Sequence, residues 1–360
     1  MTNPLLSAEG LPAFDRIQPE HVAPAIDALL RAADEALELA VGPDVPAQYD
    51  AVSAVLDTAG ERLRFVWGAI GHLNAVADTP ALRAAFTEAL PKVTEQSSRH
   101  AADERLYAKC KAIAEAADST LSPARKQALG NAMRDFVLAG ADLQGEAKQR
   151  FQRVQELQAE LAQKFSEHVL DATDGYAYYA SADELAGVPA DAREASAAAA
   201  AAEGQTGHKV TLHFPSYFPV MQYAHNRALR ERLYVANATR ASDLGPPEKD
   251  NSEVMRELLR LRQEEARLLG YPSYADVSLV PKMATSPKQV TDFLRDLARR
   301  ARPHAMRDLE ELREFARTEL GIDDLQAWDL PFASEKLKEA RYAFSDHEVK
   351  QYFTEHKVLE

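Results

Sequence analysis

The sequence predicts a mainly α-helical protein in two regions, with one small β insert near 176–214. Three observations predict it. Apolar residues recur three and four positions apart through most of the chain, the spacing of helices that each bury one stripe. Helix-start signals repeat: Thr79–Pro80, Ser122–Pro123 and Ser286–Pro287 each set a capping hydroxyl before a first-turn proline. Against these stands one period-two run, HKVTLHF, in which Val210, Leu212 and Phe214 alternate with other residues.

After an extended start, Pro19 and Glu20 open a helix striped by Val22, Ile26, Leu29, Ala33 and Leu37. Gly42, Pro43 and Pro46 end it. Val52, Leu56, Ala59, Leu63, Val66, Ile70 and Leu73 step by four and three, the narrow seam of a long paired helix. From Thr79 a further helix is expected to run, kinked at Pro91, through Leu106, Cys110 and Ile113. Leu129, Met133 and Phe136 follow Ser122, and Phe151, Val154, Leu161, Phe165 and Val169 mark one more striped helix. No fixed-period repeat is visible, so the region reads as a stack of antiparallel helices and not as a solenoid.

From Asp171 the texture changes. DATDG is a turn, YAYY a short strand, and Ser181 with Glu184 a capping box before an alanine-rich helix that ends at Gly204. YAYY and HKVTLHF are expected to form a hairpin-like insert, and Pro215 and Pro219 to mark the boundary between regions 1–215 and 216–360.

Asn226–Ala284 reads as two amphipathic helices joined by an acidic, proline-containing turn. In the second, Val254, Leu258, Leu261 and Leu268 share a stripe, with Arg256, Arg260, Arg262 and Glu264 elsewhere. Asp250 with Glu253 resembles a capping box, and Gly270 before Pro272 is a stop. Beyond Ser286, Val290, Phe293, Leu294, Leu297 and Ala301 stripe another helix, which Pro303 should kink before Leu309, Leu312, Ala316 and Leu320. Ser345 and Glu348 are expected to cap a short helix near the end.

At 360 residues the chain exceeds the roughly 150 residues of a typical domain, which favours two. Its single cysteine, Cys110, rules out an internal disulfide framework and fits a reducing compartment. MTNPLLSAEG has neither the basic nor the apolar segment of a secretory signal, and no apolar run approaches the ~18 residues of a membrane span, so a cytoplasmic protein is expected. With 42 Lys and Arg against 56 Asp and Glu, the net charge of −14 argues against general nucleic-acid binding. The one basic run, Arg295 to Arg307, is interleaved with Asp292, Asp296, Asp308 and Glu310 and reads as a solvated helix face.

A helical zinc-peptidase site needs two His one turn apart, a Glu beside the first and a third ligand. No two of the ten His are three or four residues apart. The nearest miss is His347-Glu348-Val349-Lys350-Gln351, with Gln, a poor zinc ligand, where the second His should stand. His208 and His213, five apart on a strand, fall on opposite faces and share no metal. There is no GxSxG elbow and no phosphate-cradling glycine loop. Cys110 lies on an apolar stripe and reads as a core residue, and Trp67 and Trp328 as packing anchors. Glu310, Glu311 and Glu314 read as a solvated face paired with Arg307 and Arg313. No catalytic or metal-ligating residue is assigned, and the peptide-contacting residues stay unassigned.

Several long phrases go further than periodicity. LYVANATRASDLG, DNSEVMRELLRLRQEEARLLGYPSYADVSL and PKMATSPKQVTDFL closely resemble the opening of the peptidase domain of the M3 family of zinc oligopeptidases. MTNPLL with LPAFDRIQPEHVAPAI, and QAWDLPFASEKLKEARYAFSDHEVKQYF, are similar to its oligopeptidase A branch. The resemblance is collinear along the whole chain, with one gap: the family's HExxH motif is absent here. It implies a helical amino-terminal domain of the oligopeptidase A type over 1–215, and over 216–360 the first part of a mostly helical peptidase domain. It further implies a zinc-dependent hydrolase of short peptides, cleaved signal peptides included, whose zinc and catalytic Glu lie further along. The 360 residues are accordingly expected to be an amino-terminal portion, inactive alone. The other readings are a non-catalytic helical module that grips peptides, or one subunit of a split peptidase completed by a separately encoded carboxy-terminal half.

Overall fold

A computed structural model describes residues 3–7, 10–116, 121–343, 349 and 351–359. The chain is mainly α-helical and divides into two compact units, each assembled from two separate stretches: Met1–Lys164 with Val254–Val290, and Phe165–Glu253 with Thr291–Glu360.

The first unit opens with two short 3-10 turns, Pro4–Leu6 and Pro19–His21, the second of which feeds α1, Val22–Val41. There follow α2 (Tyr49–Val76), α3 (Pro80–Ala101), α4 (Glu104–Ala116), α5 (Pro123–Leu138) and α6 (Gly145–Asp174), which runs on into the second unit. The caps behave as the Ser/Thr–Pro signals require. Thr79 Oγ1 accepts from the Leu82 N–H at 3.2 Å and Ser122 Oγ from Arg125 N–H at 3.4 Å, leaving the first-turn prolines where no N–H is needed. Two cores hold these helices. Ile26, Leu29, Leu63, Ile70, Phe86 and Val93 unite α1, α2 and α3, while Leu37, Val52, Leu106, Cys110, Ile113 and Leu129 join α1 and α2 to α4 and α5. From the later stretch come α10 (Ser252–Leu268) and α11 (Tyr274–Leu279). Arg150 of α6 grips Glu264 of α10 (Nη2–Oε2 2.8 Å), and Gln158 donates to Glu265 at 2.7 Å.

The expected kink at Pro91 does not end the helix. Phe86, Ala89 and Val93 around it are buried, and their packing outweighs one missing hydrogen bond. The break comes at Ala102–Asp103 instead. There Asp103 Oδ1 accepts from the N–H of Arg105 and of Leu106 (2.9 and 3.0 Å) and starts α4 as a new helix. At the start of α10, Asp250 Oδ1 accepts from the N–H and the hydroxyl of Ser252 (2.8 and 2.7 Å). Gly270, at φ +80°, closes that helix in the left-handed region.

The second unit holds the only β structure among the described residues. Strand β1 (Tyr178–Ala180) pairs antiparallel with β2 (His208–Val210), in the register Tyr179↔Lys209. The strands are not a hairpin, because α7 (Ala190–Ala202) lies between them. The expected longer strand through Phe214 stops at Val210. Leu212 is buried, but Phe214 is exposed and starts α8 (Phe214–Tyr223), with Pro215 in the first turn and Pro219 inside. Both prolines expected to mark the boundary between regions are therefore helical. The Ser181–Glu184 box forms, with Glu184 Oε2 on the Ser181 N–H at 2.8 Å and Ser181 Oγ on the Glu184 N–H at 3.2 Å. It closes a turn, and the helix starts only after Pro189. Helix α9 (Arg227–Ala238) follows, then α12 (Pro287–Glu319), α13 (Leu330–Tyr342) and α14 (Glu355–Leu359). Helix α12 passes Pro303 without a break, at an exposed position where water can serve the carbonyl that loses its partner. The Ser345–Glu348 cap and the His347–Glu348 pair lie outside the described residues.

Candidate functional site

The densest chemistry in the second unit is a buried ionic centre where α8, α9 and α13 converge. Asp329 lies in one of the quoted phrases, QAWDLPF, while Arg227 and Arg230 lie just before another, LYVANATRASDLG. Asp329 is 0% exposed and Arg230 1%. Arg230 Nη2 donates to Asp329 Oδ1 at 2.8 Å, and Arg227 Nη2 to Oδ2 at 2.8 Å. The Gln326 N–H adds a third donor to Oδ2 at 3.1 Å. The guanidinium of Arg230 also donates to the Ala224 carbonyl at 2.6 Å and lies 4.1 Å over the Phe332 ring. Beside it, Glu335 accepts from the Tyr223 hydroxyl at 2.8 Å and from Lys338 at 2.7 Å. Gly187 makes this approach possible: at φ +93°, a Cβ there would strike the Tyr223 carbonyl oxygen and the His225 ring.

Burial by itself pushes the Asp329 carboxyl up, but hydrogen bonds from Arg227, Arg230 and the Gln326 backbone hold it below the usual carboxylate range. Burial lowers Arg230, and its bond to Asp329 opposes this. With both oxygens engaged by donors, Asp329 has no basic lone pair turned toward a substrate. The centre is a clasp, and its chemistry is structural. Other carboxylates are depressed in the same way: Asp34 by His100 and Arg99 against its desolvation, and Glu264 first by Arg150. A carboxylate with a folded pKa below its unfolded value adds stability above the unfolded pKa and loses it as pH falls through the folded one. The chain is expected to lose stability steadily below pH 4.5, the ordinary Glu value, and further below 3.8, that of Asp. Urea unfolding at pH 7 and at mildly acidic pH measures this, and a midpoint that rises on acidification would contradict it.

The first unit carries an open apolar cleft of about 440 Å³ between α1, α2, α3 and α5, floored by Leu56, Leu63, Trp67 and Phe136. On its rim, His100 Nε2 meets both Gln96 Nε2 (3.0 Å) and Asp34 Oδ1 (2.8 Å). The side chains present do not fit a zinc ion: among the described residues, no three His, Cys, Asp or Glu converge to hold a metal.

Two family models match the chain. The model of the neurolysin/thimet oligopeptidase N-terminal domain covers residues 26–148, and that of peptidase family M3 covers residues 220–360. Oligopeptidase A of Salmonella typhimurium is 43% identical over 363 residues, spanning 100% of this chain and 53% of the relative. Oligopeptidase A of Escherichia coli is 43% identical over 366 residues, with the same shares. Over both matched stretches the chain is thus similar to peptidase family M3. A more distant relative, dipeptidyl carboxypeptidase of Salmonella typhimurium, is 27% identical over 100% of this chain and 54% of its own. The chain spans about half the length of the curated relatives it matches.

The residues weighed from sequence each meet partners of their own. His208 Nδ1 lies 3.0 Å from both Ser196 Oγ and the Arg193 carbonyl, while His213 pairs with Asp174 at 2.9 Å. Cys110 is buried, and burial pushes its thiol up, away from nucleophilic use. Trp67 stacks on Phe86 at 4.6 Å, and Trp328 leans on Tyr234 at 6.1 Å. On the acidic face of α12 the pairing with Arg313 forms as expected, to Glu310 at 3.6 Å, while Glu314 meets Arg317 at 2.7 Å, Glu311 bonds Arg341 of α13 and Arg307 contacts His304. Sequence reasoning did not single out Arg230, Asp329 or Glu335. The available signal was a charged residue, Arg230, set between Leu229 and Leu233 on a buried face, which demands a buried acid somewhere else.

Proposed function

We propose that this chain is the amino-terminal part of an oligopeptidase A-type zinc metalloendopeptidase that hydrolyses short peptides in the cytoplasm, cleaved signal peptides among them. The observation that carries the reading is the end-to-end match, at 43% identity, to oligopeptidase A of two bacteria. In this reading 1–215 is the amino-terminal domain of the oligopeptidase A type and 216–360 the first part of the peptidase domain; matches over 26–148 and 220–360 support that division. A domain of the family and a compact unit in space are different partitions here, since each unit draws on both stretches of chain.

The zinc ligands and the general base belong to the complementary half of the enzyme, on the same polypeptide or on a separately encoded one. When bound there, zinc supplies an activated water for attack on the scissile carbonyl. The residues of this chain contribute helical walls that admit an extended peptide and exclude a folded one. No helix of the described residues is long and apolar enough to cross a membrane, which is consistent with the proposed compartment.

The test is to isolate the protein by an affinity tag from the cells that make it, with every polypeptide that continues or accompanies it. Quenched-fluorescent short peptides should be cleaved while a folded protein substrate is spared. A chelator should abolish the cleavage and zinc restore it. Peptide binding with no zinc-dependent cleavage in that preparation would overturn the reading in favour of a binding module.

A further inference from the structure

Helix α12 carries one apolar stripe with two fates. Toward its carboxyl end the stripe is covered: Leu312 and Ala316 are buried against Ala333 of α13, with Leu320 and Leu337 packed around them. Toward its amino end the same face is bare. Phe293 is 61% exposed, Leu294 55% and Leu297 48%, and from Thr291 to Asp308 every residue except Asp296 is exposed. At 100° per residue, Leu294, Leu297, Ala301 and Ala305 fall on the line that Leu312 continues. Coverage stops where α13 ends, at an open groove of about 470 Å³ that includes Ala305, Leu309, Leu337 and Tyr342.

A free helical segment of this length, roughly 27 Å, is marginal in water, and helices in proteins draw most of their stability from a packed apolar face. Phe293, Leu294 and Leu297, all exposed on one solvated helix, therefore point to a missing partner. The charges along the segment are mixed, with Arg300 paired to Asp296 at 2.7 Å, so the apolar side chains are what a partner would read. The relatives describe its source, since nearly half of each lies outside the match.

We infer that the stripe centred on Phe293, Leu294 and Leu297 is the docking surface for the complementary half of the oligopeptidase A-type enzyme. That half continues the cover that α13 begins. The inference rests on the function proposed above and adds the surface through which the two halves join.

The test co-expresses the full 360-residue chain with the part of Escherichia coli oligopeptidase A that the match leaves uncovered. Leu297→Cys is titrated with a maleimide; Cys110, buried, stays silent. Labelling should be about tenfold slower or more in the complex than in the chain alone. Leu297→Asp should weaken association by about 100-fold, the loss expected of a central apolar anchor. Leu39→Asp, also on an exposed helix position, should leave association unchanged. Because Leu297 is exposed, a denaturation curve on the Leu297→Asp chain alone should match that of the parent and separate docking from folding. A complex that cleaves peptides while labelling of Leu297→Cys is undiminished would overturn the docking surface and leave the proposed function standing. Protection that appears in the chain alone and grows with concentration would make the occupant a second copy and equally overturn it. Failure of the halves to associate or to cleave would remove both proposals together.

Discussion

Replacing Asp329 with alanine is expected to destabilise the chain by about 3–5 kcal/mol, the loss seen when one partner of a buried ion pair is removed. The reason is the charge left behind. Arg230 is 1% exposed, and without Asp329 its guanidinium would keep only the Ala224 and His225 carbonyls and the face of Phe332. Arg227 behaves differently, because its side chain is 45% exposed and water can solvate it. Arg227→Ala should therefore cost about 1 kcal/mol or less. The double variant Asp329→Leu with Arg230→Met removes both buried charges and should recover most of the loss, since a packed apolar pair can match a buried salt bridge. Urea denaturation of the four proteins measures this. A single Asp329→Ala variant as stable as the parent would show that the pair contributes nothing.

Truncating Ile26 to alanine should cost about 2–5 kcal/mol, while the same change at Leu297 should cost less than about 0.5 kcal/mol in the chain alone. Both residues sit on apolar stripes of amphipathic helices, and the sequence treats them alike. The structure does not: Ile26 is 0% exposed, among Leu29, Leu63, Ile70 and Phe86, whereas Leu297 lies on the bare half of α12. Thermal melts of Ile26→Ala and Leu297→Ala separate the two environments. Equal losses would mean that the α12 stripe is packed in solution.

That contrast also marks how much was legible before the structure. Helix positions followed from local chemistry that acts within one or two turns. Thr79 and Ser122 cap the helices they were expected to cap, and the stripe from Val22 to Leu37 is buried as its spacing requires. Local signals failed where tertiary packing competes with them. Pro219 lies inside a helix because buried neighbours such as Val220 favour continuing it. The HKVTLHF alternation ended after three residues because Pro215 is preset for a helical first turn.

By itself, then, the sequence determined that this is a helical protein, where most of its helices lie, and, through phrases such as LYVANATRASDLG and QAWDLPF, which family it resembles. These are properties of residue type and spacing, readable along one dimension. Only the tertiary structure decided that Arg230 and Asp329, 99 residues apart, form one buried clasp. It alone decided that each compact unit is built from two separated stretches and that half of the α12 stripe lacks a cover. Desolvation and pairing act between groups brought together through space, and a buried charge or a bare stripe acquires its meaning only from what packs against it.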